Sequence, residues 1–161
     1  MLIYLLRHGD ADQNSSLHDS ERPLTELGRR QSETVARFLQ RSNASINTIF
    51  CSSLQRAQQM AHPIRALLKV NQLISTEYLV PGSDVMQLFE QVNSNISASI
   101  LLVGHEPSLG ELVSLLVTGD PRFRIEFKKS TLALVETTPP VQKGRGLLKW
   151  ITTFEQMDMV R

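Results

Sequence analysis

Cysteine is almost missing from this chain: Cys51 stands alone among 161 residues. A single thiol excludes an intrachain disulfide framework and fits a reducing compartment. Neither sign of charge is in excess. Seventeen basic and 16 acidic side chains leave a formal net charge of +1. That excludes the broad basic field of a nucleic-acid binder and the acidic tail of an interaction segment, so any anion site must be local. No apolar run approaches the length needed to span a bilayer. The first residues have neither the charged start nor the small-residue cleavage site of a secretory signal. The expectation is a cytoplasmic protein with no nucleic-acid and no membrane partner. Internal repeats and low-complexity tracts are absent too. The length fits a single domain over 1–161, one that buries roughly two-thirds of its unfolded surface without staples.

What is present begins at the first residue. Six apolar residues, Met1 to Leu6, run unbroken and stop at Arg7-His8-Gly9. Such a run, closed by a turn residue, predicts a strand buried on both faces, as in parallel sheets. Parallel sheets bind ligands just past the carboxyl ends of their strands. An arginine beside a histidine there suggests nucleophilic or acid–base chemistry on an anion.

From Asp10 to Arg22 the chain is polar and aperiodic, a long loop placed over the presumed site. His18 within it reads as solvated. A helix follows from about Pro23 to Arg41, with Thr25 as N-cap and Leu24, Leu27, Val35, Phe38 and Leu39 on one face. Ile46–Cys51 is the second strand. Ser52 is expected to cap the next helix through a box with Gln55. Its apolar stripe is Leu54, Ala57, Met60, Ala61, Ile64, Leu67 and Leu68. Pro63 should kink or split it, and His62 reads as a partly exposed helix residue. Arg56 falls in the first turn, where the helix dipole disfavours a cation. A bound anion would compensate.

Leu73–Thr76 is a short third strand, followed by a loop through Pro81-Gly82 and a helix capped by Asp84. Ser99–Val103 is another apolar strand, ending at Gly104-His105-Glu106-Pro107, with Pro107 suited to the first helical position. After Gly119 the pattern changes. Phe123–Phe127 and Thr131–Glu136 read as extended, and Leu147–Thr152 as a last strand. Strands joined without a helix should be antiparallel. Lys128, Lys129, Lys143 and Arg145 read as a solvated face, with a docking surface for an acidic partner as the alternative.

Arg7-His8, Arg56 and His105 thus converge on one sheet edge. A metal site is disfavoured because arginines repel a nearby cation and no cysteine or carboxylate completes a ligand set. A serine hydrolase is disfavoured because no Gly-x-Ser-x-Gly turn is present. Phosphate fits all four residues, since guanidinium groups match its geometry with paired donors.

Four segments carry a resemblance across nearly the whole chain. They are Leu6-Arg7-His8-Gly9, Arg22-Pro23-Leu24-Thr25-x-x-Gly28, Ser52-Ser53-Leu54-Gln55-Arg56-Ala57 and Val103-Gly104-His105-Glu106-Pro107. In this order they resemble the histidine phosphatase superfamily, of phosphoglycerate-mutase type. The short stretch between Arg56 and His105 resembles its SixA-type phosphohistidine phosphatases. One departure is Met60, where members commonly carry threonine behind the arginine. The resemblance implies an α/β fold: a three-layer α/β/α sandwich whose central sheet is mainly parallel with at least one antiparallel strand. It implies His8 as a transiently phosphorylated nucleophile, with Arg7, Arg56 and His105 on the phosphoryl oxygens and Arg22 and Glu77 as further binding candidates. No metal and no cofactor are implied. The expected substrate is a phosphorylated protein such as a histidine phosphotransfer domain, with phosphate as product. A small-metabolite phosphatase and a catalytically inactive phosphohistidine-binding module are the alternatives. For a leaving group that needs a general acid, the candidates are Glu77, Glu106 and Asp12, Glu77 being the best placed.

Overall fold

The computed structural model describes all residues except Ser15, Ile96, Arg124 and Arg161. Six strands form one sheet: β1 (Leu2–Arg7), β2 (Thr48–Ser52), β3 (Gln72–Thr76), β4 (Ser99–Gly104), β5 (Leu132–Glu136) and β6 (Leu147–Thr152). Their spatial order is β3-β2-β4-β1-β5-β6. The first four strands run parallel; β5 is antiparallel to β1, and β6 to β5. Five helices cover the sheet: α1 (Glu26–Arg41), α2 (Gln55–Leu68), α3 (Val85–Ser94), α4 (Ser108–Thr118) and α5 (Phe154–Met159). Short 3-10 turns occupy Asp19–Glu21 and Glu77–Leu79.

The alternation of side chains along a strand makes the layers. Tyr4 and Leu6 of β1 join Val35, Leu39, Met60, Ile64 and Met157 in one core, on the α1, α2 and α5 side. Ile3 and Leu5 join Leu88, Phe89, Leu112 and Leu116 in a second core, on the α3 and α4 side. Burial on both faces explains why β1 and β4 read as unbroken apolar runs rather than alternating ones. Among the described residues, no helix is long and apolar enough to cross a membrane.

Several local expectations give way to packing. Leu27 is 48% exposed, because the buried stripe of α1 runs through Gly28, Gln31, Ser32, Val35 and Leu39, one position away. Leu67 on α2 is exposed as well. Pro63 does not split α2, which is continuous from Gln55 to Leu68. Interior proline costs about 3 kcal/mol or more, but Met60, Ala61 and Ile64, all fully buried, hold both halves on the sheet. Ser52 belongs to β2, and the N-cap of α2 is Leu54, with no side-chain cap. Pro107 precedes α4 as its N-cap and does not open it. The described residues of 123–127 form no strand. The chain continues past β6 into α5, whose capping box pairs Thr153 with Gln156. Thr25 and Asp84 do cap α1 and α3 through their side chains.

Candidate active site

The register places the site. Arg7 of β1 pairs with Gly104 of β4, and the His8 amide donates to the Gly104 carbonyl at 3.1 Å. His8 and His105 are therefore the first residues beyond two adjacent parallel strands. Ser52 ends β2 at the same edge, and Arg56 follows in the first turns of α2. Because β5 is antiparallel, its start reaches this edge too: Arg7 N–H donates to Thr131 O at 3.1 Å and Ser130 N–H to His8 O at 3.2 Å. Ser130, buried, sits at φ 61° in the left-handed region that non-glycine residues seldom occupy. The turn it makes brings Lys129 to the site.

The loop after His8 lies flat on the start of α1. A Cβ on Gly28 would sit 2.0 Å from Asp10 O, and one on Gly9 would sit 2.9 Å from Gln31 Oε1. Only glycines allow that approach. Thr25 N–H and Oγ1–H donate to Asp10 O (3.0 Å) and Oδ2 (2.7 Å), and Lys129 Nζ donates to Asp10 Oδ1 at 2.5 Å. Lys129, more than Thr25, holds the Asp10 carboxyl below its usual range.

A cavity of about 250 Å³ opens here, lined by Arg7, His8, Arg22, Arg56, His105, Glu106 and Lys129, among others. His8, Arg56 and His105 are buried. His8 Nδ1 lies 2.7 Å from Gly9 O. A carbonyl accepts only, so Nδ1 carries the proton and Nε2 keeps its lone pair. Burial, with smaller help from Arg56, Arg7 and Lys129, lowers the His8 pKa to about 4. Desolvation thus outweighs the arginines as the reason the ring stays neutral. His105 is lowered to about 3, again chiefly by burial and then by His8. Its Nε2 lies 2.8 Å from Ser52 Oγ, and its Nδ1 is buried without a hydrogen-bond partner.

Arg7 donates from Nη1 to Phe127 O at 2.6 Å. Arg56 donates from Nη1 to Asp19 O at 2.7 Å and from Nη2 to Asp19 Oδ2 at 3.2 Å. In both arginines Nε is buried and unpartnered. Buried donors left unpaired cost about 1–3 kcal/mol each. Three such atoms around one small cavity (two guanidinium Nε and His105 Nδ1), facing the lone pair of His8 Nε2, suit a bound oxyanion approached by a nucleophile. Among the described residues, no three His, Cys, Asp or Glu side chains group so as to hold a metal ion.

The structure brings Arg7, His8, Arg56 and His105 to one cavity, and places Arg22, the further binding candidate, in the same lining. Glu77 is not brought in: it is exposed in its 3-10 turn and does not line the cavity. Asp12 accepts Asn14 N–H within the loop and lies outside the lining. Glu106 does line it, and burial raises its pKa. Lys129 departs from the solvated face expected of it, whereas Lys128, Lys143 and Arg145 are exposed. Sequence reasoning missed Lys129, Asp19 and the Ser52–His105 contact. Lys129 and Asp10 are 119 residues apart, and no local pattern links them. His18 and His62 are exposed, away from the cavity.

The family model of the histidine phosphatase superfamily (branch 1) matches residues 3–79. Phosphohistidine phosphatase SixA of Escherichia coli (strain K12) is 30% identical over 156 residues, which are 93% of this chain and 92% of that protein. The structure of the protein histidine phosphatase SixA complexed with tungstate is similar at a TM-score of 0.85 and 27% identity, over 96% of this chain and 97% of that one. The alpha-ribazole phosphatase of Shigella flexneri, 19% identical over 96% and 97% of the two chains with a TM-score of 0.69, shares the fold.

Proposed function

The chain belongs to the histidine phosphatase superfamily, and we propose that within it the protein is a metal-independent phosphatase that hydrolyses phosphohistidine on a protein through a covalent phospho-His8 intermediate. The observation that carries this reading is His8 itself. Its Nδ1 is tied to Gly9 O, and burial keeps the ring neutral at physiological pH, so Nε2 presents a lone pair beside two guanidinium groups.

The chemistry follows from that geometry. His8 Nε2 attacks the phosphoryl group, a new P–N bond forms, and the P–N bond to the substrate imidazole breaks. The electron pair stays on the departing ring nitrogen, which takes a proton. Water then attacks phospho-His8; a P–O bond forms, the P–Nε2 bond breaks with its electron pair returning to Nε2, and phosphate leaves as the water's proton passes to solvent. Transfer of this kind needs positioning and charge stabilisation more than covalent assistance. Arg7, Arg56 and the free nitrogen edge of His105 hold the phosphoryl oxygens, and Lys129 adds charge at the rim. At an effective dielectric of about 20, a cation about 4 Å from an anionic oxygen attracts it by roughly 4 kcal/mol. With that much fixed positive charge, a divalent ion has no task left.

Two features favour phosphohistidine on a protein. The leaving imidazole has a conjugate acid of pKa about 6.5 and needs little protonation help, which agrees with Glu77 standing outside the cavity. Beside His105, a second cavity of about 590 Å³ is walled by Leu79, Val85, Met86 and Leu112, with Met86 49% exposed. An apolar groove that shares His105 with the reaction site suits the surface of a phosphorylated protein such as a histidine phosphotransfer domain. Glu106 favours a second reading. A carboxyl that burial biases toward its protonated form could protonate the alkoxide of a small phosphate ester. The test is turnover of a phosphohistidine protein, a phosphoserine peptide and a sugar phosphate, each in excess EDTA. The proposal expects the phosphohistidine protein to be preferred at least tenfold and EDTA to change nothing. A preference for the sugar phosphate, or activity restored only by a divalent cation, would overturn it.

A further inference from the structure

Arg22 lines the cavity, yet three of its five N–H donors are already committed to the loop. Its Nε (3.0 Å) and Nη2 (2.5 Å) both donate to Asp19 Oδ1, and its Nη1 donates to Asp12 O at 3.2 Å. Asp19 passes the constraint on. Its other carboxylate oxygen and its backbone carbonyl take Nη2 and Nη1 of Arg56. A guanidinium is a planar fork with two edges on which an oxyanion can be held by paired bonds. Asp19 grips the terminal edge of Arg56. The remaining edge contains Nε, which is buried and unpartnered.

We propose that Asp19 and Arg22 act as a brace that turns the Nε edge of Arg56 toward the phosphoryl group. Both are positioning residues, and the inference rests on the reading of this cavity as a phosphoryl site. Exposure gives the direction of the chain: the side chains of Asp19, Arg22 and Arg56 are 58%, 28% and 5% exposed. An ion pair as exposed as Asp19–Arg22 contributes little to folding. Misorienting a buried catalytic cation by a fraction of an ångström costs far more in rate. The brace also explains why the long loop between β1 and α1 carries a 3-10 turn at Asp19–Glu21, capped by His18. The turn fixes the Asp19 carbonyl and carboxylate on the same guanidinium.

The test uses the full chain, tungstate as the oxyanion probe and phosphohistidine protein as substrate. Asp19→Ala and Arg22→Met should each weaken tungstate binding and lower kcat about tenfold, Arg22→Met with an unchanged melting temperature. Asp19→Asn, which keeps the backbone carbonyl and one side-chain acceptor, should recover part of the loss. In an Arg56→Lys background, Asp19→Ala should cost less than twofold more, because no guanidinium edge is left to aim. Unchanged tungstate affinity in Asp19→Ala would overturn the brace. So would a loss of the same size in the Arg56→Lys background, which marks a merely structural residue. A wild type that binds no tungstate would instead remove the phosphoryl-site reading, and the brace with it.

Discussion

The imidazole rings of His8 and His105 lie 4.9 Å apart with their planes tilted by 54°. The pairing of Arg7 with Gly104 puts each histidine one residue past the end of its strand, so the sheet register alone brings them together. They are held differently. His8 leans on a backbone carbonyl and keeps Nε2 free, whereas His105 leans on the Ser52 hydroxyl and keeps Nδ1 free. Two neutral rings in one cavity can then divide the work, one attacking and one holding.

Acid should cost both activity and stability. With the His8 pKa at about 4, kcat/KM should fall about tenfold per pH unit below pH 4 and stay level from 5 to 7. Between about pH 6.5 and their folded values, His8 and His105 bind fewer protons folded than unfolded, so stability is lost as pH falls through that window. At about 1.4 kcal/mol per unit, His8 accounts for roughly 3 kcal/mol. His8→Gln should remove about half of the loss between pH 7 and 4.5 in urea denaturation, His105 keeping the rest. A wild type equally stable at both pH values contradicts the neutral-ring account.

Ser52 should matter beyond its size. Its Oγ accepts Leu54 N–H at 3.3 Å, so the hydroxyl proton is available for His105 Nε2. That arrangement puts the ring proton on Nδ1 as a donor toward the phosphoryl oxygens. Ser52→Ala should lower kcat about tenfold and cost about 1 kcal/mol of stability. Wild-type kcat in Ser52→Ala would show that the hydroxyl does not select the tautomer.

The two glutamates should separate cleanly. Glu77 is exposed and outside the cavity, so Glu77→Gln should leave phosphohistidine cleavage within about twofold of wild type, well under 1.4 kcal/mol in the barrier. Glu106→Gln should stay within about tenfold on phosphohistidine and remove most of any activity on alkyl phosphates. Parallel rate measurements on both substrates decide it; a collapse of phosphohistidine cleavage in Glu77→Gln contradicts the placement seen here.

Gly28→Ala should be among the most damaging single changes outside the cavity. The new methyl would lie 2.0 Å from Asp10 O, a backbone carbonyl that Thr25 N–H also holds, in a residue whose carboxylate Thr25 and Lys129 grip. Overpacking of this kind typically costs about 1–3 kcal/mol, and rigid backbone places this case at about 3 kcal/mol or more. Denaturant titration checks it; a loss under 1 kcal/mol would mean the loop does not rest on α1 as described.

Much of this arrangement was legible in the sequence because it is local. β1 and β4 are unbroken apolar runs ending at a histidine, and Thr25 and Asp84 sit where caps belong. What was not legible depends on distant partners. Lys129 looked like one of four solvated cations until the antiparallel β5 carried it beside Asp10. Ser52 fitted a capping pattern, but β2 keeps it and His105 claims its hydroxyl. Asp19 and Arg22 are three residues apart, an unremarkable loop pair until Arg56 arrives from α2. Pro63 obeyed its local rule less strongly than the core packing around Met60 and Ile64. The short α5 offered too few turns for a period, although Thr153 and Gln156 already carried the capping-box spacing.

The most direct test of the account is to trap the phosphoenzyme. Wild-type protein mixed with excess phosphohistidine substrate, quenched in alkali within milliseconds and digested, should yield one acid-labile, base-stable phosphopeptide containing His8. Phosphorus NMR should place the phosphoryl group on Nε2, because Nδ1 is committed to Gly9 O. His8→Ala should give no label and no turnover while keeping its circular dichroism spectrum. Label on another residue, label on Nδ1, or near-normal turnover in His8→Ala would contradict the assignment of His8 as the nucleophile.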